Sequence, residues 1–206
     1  MARINSAKGA LFLVCLIPFC VLVYNGISDN LGAEPIKKIT HFTGDWTLYL
    51  LLTTLTITPL RHMSGWNELV RYRRMLGLFA FFYACLHFLT YFVLDQFFDW
   101  DEILHDIVKR PYITVGFSAF VLLIPLAMTS TNKMMKRLGK HWKQVHSLIY
   151  ITGTLGILHF LWLVKADVRK PLLLGTVLVI LLVLRLPYVK VMTRKTMPLK
   201  NKYEPV

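Results

Sequence analysis

Apolar residues gather into six runs along the chain, at about 10–27, 46–60, 75–94, 112–128, 147–164 and 171–189, and the short stretches between them hold most of the charge. Runs of this length without strict alternation predict helices, and those near 20 residues match the hydrocarbon core of a bilayer. The first run follows Arg3 and Lys8, as a signal peptide's would, but it is long for one and Leu31-Gly32-Ala33 lacks a small-residue cleavage pattern, so a retained helix is expected. The second run is short and holds Thr47, Thr53, Thr54, Thr56 and Thr58. A threonine hydroxyl can return to the helix backbone, which keeps such a run tolerable in lipid, and Pro59 is expected to close it. Pro171 stands where the sixth helix would begin and Pro187 near its end. No internal repeat is evident.

Composition supplies the class. With 55% hydrophobic and 17% charged residues in 206, the chain predicts an all-α polytopic membrane protein, a single six-transmembrane-helix bundle over residues 1–206. Cys15, Cys20 and Cys85 lie inside apolar runs without CxxC spacing, which argues against a disulfide framework or a zinc site. A net charge of +13 first suggests nucleic acid, but its distribution replaces that reading. Seventeen of the 24 Lys and Arg fall at the N-terminus, in the second and fourth loops and in the tail; the opposite loops hold seven, set among nine of the eleven carboxylates. Such asymmetry places both termini in the cytoplasm and makes the basic residues anchors at the lipid surface, with no nucleic-acid partner implied.

Within this layout the histidines are the candidate chemistry, because ionisable side chains inside a bilayer are expensive and mark sites, relays or cofactors. His146 and His159 flank a stretch that is otherwise apolar or small, and their thirteen-residue separation is about 20 Å of helix. The third helix, running outward from Met75, reaches His87 after twelve residues; the fifth, from Ser147, reaches His159 after the same number. Two neutral imidazoles at one height on neighbouring helices suit the axial positions of a haem iron, and a haem so held favours electron transfer. Gly77, Ala80, Ala84, His87 and Tyr91 line one face of the third helix, and Gly153 and Gly156 lie between the histidines of the fifth. Small residues there either admit a flat macrocycle or serve close helix packing.

His146 lies about 140° around the helix from His159, so periodicity does not stack two haems. At its level the third helix offers Arg73 and Arg74, and the second offers His62. The guanidinium groups suit a haem propionate, a flavin phosphate or simple anchoring at the membrane face. His141 beside Trp142 reads as interfacial, His105 in the acidic outer loop as solvated, and His41 at the outer mouth of the second helix as a contact to a haem edge or a partner protein. Arg73, Arg74, His41, His62 and Trp142 are therefore the candidate haem or flavin contacts.

The ordered set His41-Phe-Thr-Gly44, Thr56-Ile-Thr-Pro-Leu60, Arg73-Arg-Met-Leu-Gly77, Leu86-His87, Arg110-Pro-Tyr112, Thr129-Ser-Thr131, Leu138-Gly-Lys-His-Trp142, His146 and His159-Phe-Leu-Trp162 closely resembles the MsrQ (YedZ) family over nearly the whole chain. The resemblance implies a domain like the transmembrane part of ferric reductases and NADPH oxidases. It implies a haem b-binding subunit of the bacterial inner membrane that passes electrons to MsrP, a periplasmic molybdopterin enzyme reducing methionine sulfoxide in oxidised proteins. It also implies FMN, electrons from the quinone pool or a cytosolic flavin reductase, and His87, His146 and His159 as haem-ligand positions. The wider superfamily uses two histidines on each of two helices, whereas the third helix here has only His87, which leaves one haem or two.

No Gly-rich dinucleotide fingerprint follows a strand, so electrons are expected from outside the chain and the protein is expected to be an electron-transfer subunit rather than the catalytic one. Two other classes remain. One is a stand-alone transmembrane ferric or cupric reductase with the same wiring; the other is a non-redox transporter or assembly factor whose histidines bind a transition metal or relay protons.

Overall fold

In the computed structural model the protein is described over residues 2–185, with side chains from residue 6 onward. Every regular element among these residues is helical: α1 (Ala2–Ile27), α2 (Pro35–Ser64), α3 (Val70–Leu89), α4 (Trp100–Lys109), α5 (Pro111–Met128), α6 (Asn132–Leu138), α7 (His141–His146), α8 (Leu148–Leu163) and α9 (Arg169–Val183). A 3₁₀ turn at Asn67–Leu69 leads into α3, and a π-helical turn at Thr90–Asp95 continues it. Four stretches are long and apolar enough to cross a membrane: Ser6–Ile27, Asn67–Asp95, Pro111–Met128 and His141–Leu163. The predicted sixth run begins as α9, while its expected end at 189, with Pro187, lies outside the described residues.

The largest departure from the hydropathy pattern is α2, expected over 46–60 and observed over 30 residues, about 45 Å of helix. Pro35 starts it with a preset φ, and Gly65, at φ 73°, ends it in the left-handed conformation that a Cβ disfavours. Its hydroxyls return to the backbone one turn earlier, as at Thr43 to Ile39 (2.8 Å), Thr54 to Leu50 (2.7 Å) and Thr56 to Leu52 (2.9 Å). Pro59 does not stop the helix. Proline lacks the N–H that the Leu55 carbonyl would accept, and the Arg185 guanidinium donates to that carbonyl instead. Leu48, Leu51, Leu52 and Leu55 are buried, because α2 packs along α3 and also meets α8 and α9. A helix surrounded by protein needs less hydropathy than one facing lipid, which is why the apolar pattern understates it.

Other helices are tied by the same device. Pro18 lies within α1, and beside it the fully buried Tyr83 inserts its hydroxyl into the ladder, donating to the Cys15 carbonyl (2.8 Å) and accepting from the Phe19 N–H (3.0 Å). The short α4 was not apparent from hydropathy. Asp99 caps it by accepting from the Asp101 and Glu102 N–H groups, and the fully buried Asp106 accepts from Tyr91 (3.2 Å) and Gln96 (3.1 Å) and pairs with Arg110 (2.9 Å). That carboxylate fastens α4 to the π turn and to the head of α5.

The small residues of α3 and α8 serve helix packing. A Cβ at Gly77 would meet Thr54 at 3.7 Å, one at Gly156 would meet Leu48 at 3.1 Å, and one at Gly153 would meet Leu51 and Leu178 at 3.3 and 3.4 Å. Ala80 and Ala84 are buried in the same core. Of the two uses open to these positions, close approach to α2 and α9 is the one the structure displays.

Candidate functional site

Two helix pairs carry the molecule, α2 with α3 and α5 with α8, and α3 meets α5 between them. Near the end of α3 stands His87, and near the end of α8 stands His159. Their ring centroids are 6.1 Å apart with planes at 79°.

Each imidazole is seated in the same way. His87 Nδ1 lies 2.9 Å from the Thr40 carbonyl of α2, and His159 Nδ1 lies 2.7 Å from the Tyr112 carbonyl of α5. A carbonyl only accepts, so Nδ1 carries the proton in both rings and Nε2 keeps a free lone pair. One turn beyond each carbonyl is a glycine. A Cβ at Gly44 would stand 3.1 Å from His87 Cε1, and one at Gly116 would stand 2.6 Å from His159 Nδ1, closer than real Cβ atoms come. The glycines are the seats on which the rings lie. Residues Leu86-His87-Phe88-Leu89 and Leu158-His159-Phe160-Leu161 carry the same tetrapeptide, and both histidines sit 47 positions after their carbonyl. Shared tetrapeptides with glycines at matching distance are the sequence signal that would have found Gly44, Gly116, Thr40 and Tyr112.

Such a donor set fits a haem iron. Two neutral imidazoles, each with Nδ1–H held by a backbone carbonyl, are the usual supporting arrangement for ligation through the other nitrogen. His87 and His159 would hold such an iron between them, the 6.1 Å between ring centres leaving room for one metal ion.

The other predicted residues are not gathered at this pair. His146 lies at the opposite end of α8, with Nε2 3.1 Å from the Thr129 hydroxyl and Trp142 stacked on its face at 3.9 Å. Thr129 gives its hydroxyl hydrogen to the Pro125 carbonyl (2.6 Å), so it accepts from His146 Nε2–H, and Trp142 Nε1–H donates to the Thr129 carbonyl (3.0 Å). Arg74 is exposed and donates to the Asn132 side chain. Arg73 is half-buried near the start of α3. His41 is exposed on the first turns of α2, and His62 is exposed at the far end of that helix. His141 meets Gln144 (2.9 Å), and His105 is exposed on α4.

A helical membrane protein with one imidazole from each of two helix pairs meeting at a common level defines a class, and the chain matches it. The family described as "Ferric reductase like transmembrane component" fits residues 43–157, a stretch that contains both histidine-bearing helices up to Ile157. The protein-methionine-sulfoxide reductase heme-binding subunit MsrQ of Herminiimonas arsenicoxydans is 58% identical over 186 residues, covering 89% of this chain and 85% of the relative. The proteins of the same description from Rhodospirillum rubrum (50% over 185 residues, 89% of each chain) and Xanthomonas euvesicatoria (49% over 183 residues, 86% and 84%) are also similar. No solved structure matches the chain. The chain therefore belongs to the MsrQ family and is a multi-pass membrane protein.

Proposed function

We propose that the protein is a transmembrane electron-transfer subunit of the inner membrane, with six spans, both termini in the cytoplasm, and one haem b held through His87 and His159. The observation that carries this reading is the paired seating of the two rings, each fixed by a backbone carbonyl with Nε2 left free. When bound, such a haem supplies a one-electron carrier with no open coordination position. Everything else falls to the chain. The Thr40 and Tyr112 carbonyls fix the tautomers, Gly44 and Gly116 let α2 and α5 approach the rings, and the buried leucines of α2 keep water from the core.

Relatives described as heme-binding subunits of protein-methionine-sulfoxide reductase support haem and a partner. On this reading electrons come from the quinone pool, or through FMN from a cytosolic flavin reductase, and leave to a periplasmic molybdopterin partner, MsrP. Sulfoxide is reduced on that partner. His146, the third ligand position suggested by resemblance, is in our reading a positioning residue, because its Nε2–H is given to Thr129.

The test is an absorption spectrum with haem and flavin counted per polypeptide. One haem per chain is expected, lost in His87→Ala and His159→Ala and kept in His146→Ala. A colourless wild-type protein after haem-replete expression would overturn the reading. Electron delivery to purified MsrP, compared with delivery to ferric chelates, separates the subunit from a stand-alone metal reductase.

A further inference from the structure

Between the spans that carry α3 and α5 runs the short helix α4, and its level is set by how little chain joins it to either. The first of these spans ends at Asp95 and α4 begins at Trp100, a stretch that reaches at most about 18 Å when fully extended. Only Arg110 separates Lys109, the last residue of α4, from Pro111, where the next span starts. Both ends of α4 are therefore held where apolar spans give way to water.

At about 100° per residue the helix separates into three faces. Ile103 and Asp106 turn inward and are buried. Asp101, Glu102, His105 and Lys109 share a polar face and are exposed. Trp100, Leu104 and Val108, spaced four apart, form an apolar stripe about 80° wide. Their exposure is 63%, 60% and 82%, so nothing among the described residues covers them.

The stripe is continuous with the flank of the neighbouring spans. Trp100 packs edge-on against Phe92 (5.0 Å), Phe92 stacks on Phe88 (5.8 Å), and Phe88 stacks on Phe120 of α5 (4.8 Å) and meets Phe117 (6.1 Å). Phe117 is itself exposed within a membrane span, so this column of rings climbs a side of the bundle that meets lipid. Large apolar side chains left in water are unfavourable, and a helix with one apolar and one charged side belongs in the plane of the interface. Tryptophan is a side chain that this boundary favours.

We propose that α4 is an interfacial helix lying along the membrane surface, with Trp100, Leu104 and Val108 sunk to the boundary between phospholipid headgroups and acyl chains. Its polar face is turned to water. The occupant of the stripe is phospholipid, and the inference holds whether or not the histidine pair carries haem.

Leu104→Cys and Val108→Cys on the stripe, and Asp101→Cys and His105→Cys on the polar face, are made singly in the full-length protein. Each is labelled with a nitroxide and reconstituted in phosphatidylcholine vesicles. The signal of the unsubstituted protein, which holds Cys15, Cys20 and Cys85, is subtracted. Spin relaxation by oxygen, which concentrates in lipid, is compared with relaxation by a water-soluble nickel chelate. The oxygen-to-chelate ratio is expected to be several-fold higher at positions 104 and 108 than at 101 and 105. Equal ratios on the two faces overturn the proposal. So does a stripe that is open to the chelate in vesicles and shielded only after purified MsrP is added, the outcome for a face that docks a protein. Haem absorbance is read on the same samples: a colourless protein that keeps the contrast fails the electron-transfer reading alone, and a haem-bound protein with equal ratios fails the interfacial helix alone.

Discussion

The α2–α3 and α5–α8 pairs differ in nearly every residue, yet agree at one level and part company at another. Around His87 and His159 the same three parts recur: a carbonyl 47 positions earlier, a glycine one turn beyond it, and a ring laid across that glycine. At the opposite end the symmetry is gone, with His146 latched to Thr129 under Trp142 on one side and Arg73 and Arg74 on the other. Two pairs that need not resemble each other do so where a ring must be held in one tautomer, and diverge where no paired ring is required.

Substituting the glycines probes the shared level most severely. Gly116→Ala forces a methyl group to 2.6 Å from His159 Nδ1, and overpacking of about 1–3 kcal/mol is expected to lower bound haem per polypeptide roughly tenfold or more. Gly44→Ala, where the nearest approach is 3.1 Å, is expected to lower it by less. A larger loss in Gly44→Ala than in Gly116→Ala would break the equivalence of the two seats. Next in size is Tyr83→Phe, which removes the hydroxyl bridging the Cys15 carbonyl and the Phe19 N–H. A loss of about 1–3 kcal/mol is expected, read as a lower thermal midpoint in detergent with the haem spectrum unchanged.

Pro59→Ala sharpens the account of the asymmetric end. It returns an N–H to the Leu55 carbonyl, so Arg185→Gln is expected to destabilise the Pro59→Ala background less than wild type, by about 1 kcal/mol of coupling. Purely additive effects would show that Arg185 does not stand in for the missing donor. The smallest expected effect belongs to Thr129→Val, which removes the acceptor of His146 Nε2–H. Haem content is expected to stay within about twofold of wild type, as for loss of a single hydrogen bond remote from the pair.

The apolar runs and the matching depths of His87 and His159 were legible in the sequence, because hydropathy and the rise of a helix depend on composition and counting alone. The length of α2 was not: Lys37, Lys38, Asp45 and its threonines make it look short, and only its enclosure by other helices explains how it continues. The acidic α4 was hidden for a different reason. Ten amphipathic residues held by a buried Asp106 leave no long apolar run to notice. Gly77, Gly153 and Gly156 drew attention as small residues near histidines, whereas the glycines that touch the rings, Gly44 and Gly116, sit on the facing helices. Arg185 read only as a basic residue near the tail. Its task becomes visible once Pro59 is seen to orphan the carbonyl four residues before it.

The wide coil at Thr90–Asp95 comes three residues after His87 and winds with more residues per revolution than the helix before it. Tyr91, inside that coil, gives its hydroxyl hydrogen to the buried Asp106, so the winding that follows the imidazole is moored to the short acidic helix beside it.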